Sequence, residues 1–150
     1  MPLSPNLIAQ LSQHPNIVGM KDSSGNITGL AEIIRRSAPP FPVFVGAALA
    51  LLPSLALGAV GGIIGISHVA PQLCVEIVRA FAGGDLARAR ARQFQLAPAI
   101  IATGAHGIPG VKAAMDMVGY QGGYCRPPLQ SVDAPAREAI RRALQEAQLL

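Results

Sequence analysis

Short apolar runs alternate with segments of helical periodicity over the N-terminal part of the chain. Three runs are apolar at consecutive positions, as in strands that helices cover on both faces: residues 17–20, 41–45 and 60–67. Segments with apolar residues at helical spacing lie before, between and after these runs: residues 7–11, 27–37, 47–57 and 71–81. This alternation, with short connections, predicts an α/β fold with a parallel sheet and right-handed crossovers.

Residues that start or stop helices mark the element boundaries. Asn26 is placed to cap the helix that follows it, and Pro53 should fall in the first turn of its helix or kink it. Gly83 ends the last of these helices, and only helical patterns follow, at residues 86–102, 108–118 and 135–147. We expect one structural unit, in which residues 1–83 carry the strands and residues 84–150 form a helical extension.

The composition is apolar for a chain of this length. Hydrophobic residues make up 51% and charged residues 13%, whereas charged residues usually reach about 25%. This favours elements buried on more than one face, or a surface that a partner covers. The longest apolar stretch, residues 44–69, contains Pro53 and several glycines, so no membrane span is expected. Residues 1–5 lack the basic region and apolar core of a signal peptide, and we expect a cytoplasmic protein.

The charged and sulfur-containing residues exclude several functions. The net charge of +4 comes mainly from arginines on the predicted helix faces. A nucleic-acid site would need a basic stripe with stacking aromatics, but aromatic residues make up 4% and there is no Trp, so we expect no nucleic-acid binding. Cys74 and Cys125 have neither metal-ligand spacing nor a disulfide pattern and are expected to be free thiols. Only Lys21 and Lys112 are available for lysine chemistry.

Lys21 stands where the first apolar run gives way to the turn sequence DSSGN. In β/α proteins the active site lies beyond the C-terminal ends of the strands. An ammonium between apolar walls loses hydration, and a deprotonated lysine there attacks a ketone or aldehyde to form a Schiff base. The protonated imine then serves as an electron sink for making or breaking the neighbouring C–C bond, without a metal or other cofactor. The alternative is a lysine that extends from the strand end into solvent.

Small residues follow the next two strands. Gly46 ends the second run, and glycines recur in the third, GGIIG at residues 61–65. They would leave room for a compact substrate whose carboxylate backbone amides hold, or they would only relieve crowding between helices and sheet. His68 would serve as a base, or it would cap a helix or face solvent. No Lys-Ser/Thr follows a glycine-rich turn, which excludes a P-loop.

Four ordered motifs carry a family resemblance: PNIVGMKDSSGN, GAALALLPSLALGAVGGIIGISHVAP, GIPGVKAAMDMVGYQGGYCRPPLQ and the terminal AIRRALQEAQLL. Together they resemble the C-terminal half of the dihydrodipicolinate synthase and N-acetylneuraminate lyase family, the class I, pyruvate-handling aldolases. The third motif is most similar to the 4-hydroxy-2-oxoglutarate aldolase branch. The resemblance implies strands six to eight of a (β/α)8 barrel with a C-terminal helical extension. It also implies a homo-oligomer and lyase chemistry on a 2-oxo acid that releases or condenses pyruvate.

The resemblance assigns roles to three residues. Lys21 matches the Schiff-base lysine of the sixth strand, Gly46 matches a glycine of the pocket wall, and Ile63 matches the residue that lines the pyruvate pocket. Lys112 matches no catalytic role and is interpreted as a structural or surface lysine. No metal ligand and no cofactor are implied.

Two family motifs are missing from the chain. The loop that binds the substrate carboxylate and the proton-relay tyrosine of the fifth strand belong to the N-terminal half, and neither Tyr120 nor Tyr124 matches that tyrosine. A barrel needs about 250 residues, and this chain has 150. We therefore expect a piece of a longer enzyme, a truncated product or a half-barrel that another chain completes, inactive by itself. The rival hypothesis is a non-catalytic interaction module in which Lys21 is a leftover.

Overall fold

Side-chain caps fix where several helices begin. Ser4, Asn26, Asp85 and Asp133 each accept a hydrogen bond from a first-turn amide of the helix that follows. The computed structural model describes residues 3–150, so the sequence-based expectations for residues 1 and 2 lie outside the described residues. Seven α-helices lie in the described part: α1 Pro5–Leu11, α2 Ile27–Arg36, α3 Leu51–Ala56, α4 Pro71–Ala82, α5 Leu86–Gly104, α6 Gly107–Met117 and α7 Ala134–Glu146.

Three short strands form a parallel sheet in the order β1-β2-β3, as the sequence predicts. They are β1 Met20–Asp22, β2 Val43–Val45 and β3 Gly61–Gly62. Helix α2 connects β1 to β2. A 3₁₀ turn at Ala48–Ala50 and helix α3 connect β2 to β3. Pro53 lies in the first turn of α3, where a missing amide hydrogen costs no helical hydrogen bond.

The first strand lies further along the chain than predicted. The predicted strand, residues 17–20, shares only Met20 with β1. The Ile17 amide instead donates to the carbonyl of His14 in a turn, at 3.0 Å. The Val18 side chain is 78% exposed, because nothing in this part of the chain covers it. As a result Lys21 is the central residue of β1 rather than the residue after the strand.

The third predicted strand, residues 60–67, is mostly not a strand. Only Gly61–Gly62 pairs with β2, and Gly65–His68 forms a 3₁₀ turn. The apolar run is explained by burial outside the sheet, since Ile64 and Ile66 are buried without belonging to a strand. Consecutive apolar residues indicate burial but leave the backbone conformation open.

The two faces of the sheet have different surroundings. Val43 lies in a core cluster with Ile8 of α1 and with Leu30 and Ile33 of α2, and Met20 packs against the same cluster. Side chains alternate along a strand, so Val45 lies on this helix-covered face as well.

The two faces of the sheet decide which apolar residues can line a barrel interior, a choice that the sequence leaves open. Val18, Met20, Val43, Val45 and Ile63 are candidates for a barrel interior from their apolar character alone. The contacts place Met20 and Val43 on the opposite, helix-covered face, and strand alternation places Val45 there as well. Val18 lies outside the strands.

The chain divides into two compact units, the first ending at Ile64 and the second running from Gly65 to Leu150. In the second unit, α5 packs against α4, α6 and α7. Ile77, Leu96, Ile140 and Leu144 are its largest fully buried side chains. Within the described residues, no helix is long and apolar enough to cross a membrane.

We expect Ser54→Ala to stabilise the protein. Ser54 is fully buried in α3, and its hydroxyl has no hydrogen-bond partner among the described residues. Since an unpartnered buried hydroxyl costs about 1–3 kcal/mol, the substitution should raise the free energy of unfolding by about 1 kcal/mol in urea denaturation. The matched control is Ser12→Ala, because the Ser12 hydroxyl donates to the carbonyl of Ala9 at 2.7 Å and accepts from the amide of Ala38 at 2.9 Å. The control should destabilise, and equal losses in the two variants would contradict the interpretation.

Cys74 should resist thiol reagents in the folded chain. It is buried in α4, and burial raises the pKa of its thiol to about 11, so the reactive thiolate is scarce at pH 8. Cys125 is only partly buried. A disulfide reagent at pH 8 should therefore label Cys125 first and reach Cys74 only in denaturant. Cys125→Ser should remove the fast phase, and a fast phase that persists in this variant would show that Cys74 is accessible.

Candidate functional site

A chain of polar contacts builds the turn that follows Lys21. The Asp22 carboxylate accepts from the Ser24 amide at 3.1 Å and from the Ser24 hydroxyl at 2.9 Å. The Ser24 hydroxyl in turn accepts from the Asn26 amide at 3.1 Å, and Asn26 caps α2 through the Gly29 amide at 3.0 Å. The turn sequence DSSGN thus fixes the exit of β1 relative to the start of α2.

The strand register places the three predicted site residues on one face of the sheet. Lys21 pairs with Phe44, which pairs with Gly61. The ladder continues through the Gly46 amide, which donates to the carbonyl of Asp22 at 2.6 Å, and the Ile63 amide, which donates to the carbonyl of Val45 at 2.9 Å. Because side chains alternate, Gly46 and Ile63 lie on the same face as Lys21.

Gly46 borders the Lys21 side chain directly. A Cβ atom at Gly46 would overlap the hydroxyl oxygen of Ser23 most closely, and it would stand 2.6 Å from Cε of Lys21 and 2.8 Å from Cβ of Ser23. Gly46 is two residues beyond Phe44, the partner of Lys21, toward the C-terminal end of β2. The lysine side chain therefore leans along the sheet toward the C-terminal strand ends, and together with the Ser23 side chain it occupies the space that a side chain at Gly46 would need.

This face is open in the first unit. Lys21 is exposed, Phe44 is half-buried and the Ile63 side chain is 54% exposed. The sequence-based expectation of a lysine between apolar walls is therefore not met by the described residues of this unit. The site they form has an amine, a neighbouring hydroxyl from Ser23, and an apolar wall from Ile63.

Ser23 is the residue of this site that sequence reasoning missed. The turn sequence DSSGN draws attention to caps and turns, and Ser23 is interpreted there as one of several turn residues. The available signal is the spacing of two residues from Lys21, which puts both side chains on one face of an extended segment.

Lys112 has a structural contact in the second unit. Its ammonium donates to the carbonyl of Gly122 at 2.5 Å, and Asp116, one helical turn later on α6, accepts from the Gly122 amide at 2.8 Å. The two side chains therefore bind the backbone carbonyl and the backbone amide of Gly122, and so fix the segment after α6. The interpretation of Lys112 as a structural lysine agrees with these contacts.

The second unit also contains a cavity of about 550 Å³, lined mainly by small and apolar residues of α6 and its neighbours, with Lys112 and Gln121 at its edge. His68, which also borders this cavity, is exposed, and its Nδ1 lies 3.1 Å from the carbonyl oxygen of Gly65. Tyr120 and Tyr124 are 45% and 93% exposed. Among the described residues, no group of three or more His, Cys, Asp and Glu side chains is suited to hold a metal ion.

Comparison with known proteins identifies the family. Residues 1–147 match the sequence profile of the dihydrodipicolinate synthetase family. The chain belongs to this family. Its three strands and surrounding helices are the C-terminal part of a (β/α)8 barrel, strands six to eight, followed by a helical extension, as the motifs predict.

Individual relatives agree with this membership. The 4-hydroxy-tetrahydrodipicolinate synthase of Methanoculleus marisnigri is 39% identical over 145 residues, which are 95% of this chain and 50% of the relative. A dihydrodipicolinate synthase structure from Cyanidioschyzon merolae with lysine bound superposes with a TM-score of 0.91 at 28% identity, over 100% of this chain and 51% of the other. YagE, a family member from E. coli K12 solved in complex with pyruvate, gives 0.89 at 27% identity, over 99% and 52%. The chain spans about half the length of the curated relatives it matches.

Proposed function

We propose that this chain carries the Schiff-base lysine of a class I aldolase or synthase that acts on 2-oxo acids, with Lys21 as the nucleophile. The observation that carries the proposal is the convergence of Lys21, Gly46 and Ile63 on one face at the C-terminal ends of parallel strands. The pyruvate complex of the related YagE supports pyruvate as the common substrate.

The chemistry needs a neutral amine at the Lys21 Nζ. This nitrogen attacks the carbonyl carbon of pyruvate, and loss of water gives a protonated imine. Loss of a proton from the adjacent methyl group then gives an enamine, which adds to the carbonyl carbon of an aldehyde and forms the new C–C bond. Hydrolysis releases the product and restores the amine, and the reverse sequence is cleavage. Ile63 supplies an apolar wall next to the imine.

The acceptor aldehyde distinguishes two members of this reaction class. The curated relatives are named 4-hydroxy-tetrahydrodipicolinate synthases, whereas the motif GIPGVKAAMDMVGYQGGYCRPPLQ resembles the 4-hydroxy-2-oxoglutarate aldolases. We favour the aldolase reaction on the strength of that motif. Side-by-side assays of 4-hydroxy-2-oxoglutarate cleavage and of pyruvate condensation with aspartate semialdehyde decide between them.

We also propose that the active form contains a complementary half-barrel. Three parallel strands leave unpaired backbone groups on the outer edges of β1 and β3, and barrel closure removes such edges. Ile63, on the same face as Lys21, is 54% exposed, and burial of a side chain of this kind contributes about 1.5–3 kcal/mol. A polypeptide with the other strands of the family barrel would cover this face and add acid–base groups.

We expect pyruvate to form an adduct on Lys21. Treatment of the assembled enzyme with pyruvate and borohydride should leave a reduced adduct on the Lys21 peptide and none on the Lys112 peptide, since the Lys112 ammonium is engaged with Gly122. Peptide mass mapping is the measurement. Lys21→Arg keeps the charge but not the nucleophile and should abolish both adduct and turnover. An adduct on Lys112, or turnover retained in Lys21→Arg, would refute the assignment.

The 150-residue chain by itself should be inactive and self-associated. Light scattering should show species larger than a monomer, and aldolase turnover should be at least about 100-fold below that of the complex with the complementary half, the lower bound of what acid–base groups usually contribute. Co-expression with the N-terminal half of a curated relative should yield a defined complex with turnover. A monodisperse monomer with ordinary activity would contradict the half-barrel proposal.

A further inference from the structure

We infer that Gly46 is a positioning residue for Lys21, and that its missing side chain, rather than a contact with substrate, is what the site requires of it. The inference rests on the proposed function, because positioning matters only if Lys21 is the nucleophile. It assigns to Gly46 a role different from the pocket-wall role that the family motif implies.

The first step is steric. A Cβ atom at Gly46 would overlap the hydroxyl oxygen of Ser23 and would lie 2.6 Å from Cε of Lys21, and both contacts are closer than real Cβ contacts allow. The backbone of Gly46 is not in the left-handed region, so a larger residue is excluded by these neighbours and not by backbone strain. Cε lies near the flexible end of the lysine, so an alanine at position 46 would displace the Lys21 side chain, whereas its conflict with Ser23 would be taken up in the turn after β1.

The second step concerns direction. Lys21 pairs with Phe44, and the gap at Gly46 lies further toward the C-terminal strand ends. Phe44 lies directly beside Lys21 on the neighbouring strand, and its ring packs against Gly61. Because Gly46 has no side chain, the Lys21 side chain extends past it toward the C-terminal strand ends, where substrates of β/α enzymes bind. A methyl group at Gly46 blocks that course and leaves the amine displaced by about 1 Å or more, a misplacement that can cost about 100-fold in rate.

The third step separates Gly46 from the neighbouring glycines of the same sheet. A Cβ atom at Gly61 would meet the Phe44 ring at 3.5 Å, an ordinary contact. Gly61 lies on the same face as Gly46, also has no left-handed backbone, and touches neither Lys21 nor Ser23 within 4 Å of its missing Cβ. Gly61→Ala is therefore a matched control for the same atomic change at a site without the lysine.

The experiment compares Gly46→Ala with Gly61→Ala in the full chain, in complex with the complementary half. The rate of adduct formation on Lys21 with pyruvate and cyanoborohydride is measured by peptide mass mapping as a function of pyruvate concentration. In Gly46→Ala the maximal rate should fall about 100-fold, whereas in Gly61→Ala it should stay within about twofold of the parent. Equal losses in the two variants, or no loss in Gly46→Ala, would overturn the inference.

A spectroscopic readout keeps the positioning inference separate from the proposed function. Reductive ¹³C-methylation labels only Lys21, Lys112 and the N-terminus, so each amine gives its own NMR signal. Gly46→Ala should move the Lys21 signal and leave the Lys112 signal in place, and Gly61→Ala should move neither. If the parent forms no pyruvate adduct in complex with the complementary half, the proposed function fails, yet the Lys21 signal still decides the positioning. An unmoved Lys21 signal in Gly46→Ala overturns the inference even where the adduct forms.

Ser23 is the nearest neighbour of a Cβ at Gly46 and needs its own control. Its hydroxyl oxygen would overlap that Cβ and its own Cβ would lie 2.8 Å away, so Gly46→Ala also strains the turn after β1. The double variant Ser23→Gly, Gly46→Ala removes the conflict with Ser23 and leaves only the conflict with Lys21. The lost rate should remain lost in the double variant, and full recovery would assign the effect to the turn and overturn the role in lysine positioning.

Discussion

The parallel register of three very short strands is the constraint on which the candidate site depends. Pairing of Met20 with Val43 and of Phe44 with Gly61 decides which residues face the helices and which face the other way. A shift by one residue would exchange the two faces, and would put Lys21 into the core next to Leu30 and Ile33. The packing of Val43 against α1 and α2 therefore also fixes the position of the amine on the opposite face.

The sequence allowed the architecture of the first unit to be predicted better than its strand boundaries. Parallel order, the Asn26 cap and the position of Pro53 followed from local chemistry, and the structure agrees with them. The predicted strands at residues 17–20 and 60–67 were wrong because hydropathy does not show where a backbone amide forms its hydrogen bond. The Ile17 amide is used in a turn, and residues 65–68 form a 3₁₀ turn. At residues 17–20 apolar character does not indicate burial either, since Val18 is 78% exposed.

The site was predictable to the extent that the lysine and glycines stand at strand ends in the sequence. The direction of the Lys21 side chain could not be predicted from the sequence. It depends on Gly46, which follows the neighbouring strand and has no side chain to block the lysine. Ser23 was missed for a related reason, since its role as a neighbour of Gly46 follows from the face it shares with Lys21 and not from its residue type. The contacts of Lys112 with Gly122 likewise join residues ten apart across a loop.

The ring of Phe44 against Gly61 has a consequence for how this sheet can vary in sequence. The aromatic ring lies 3.5 Å from where a side chain at Gly61 would begin. A methyl group fits at that distance, whereas a larger branched residue would reach the ring and would need a smaller or displaced residue on β2. Changes of residue size beyond alanine at Gly61 are therefore coupled to the residue at position 44.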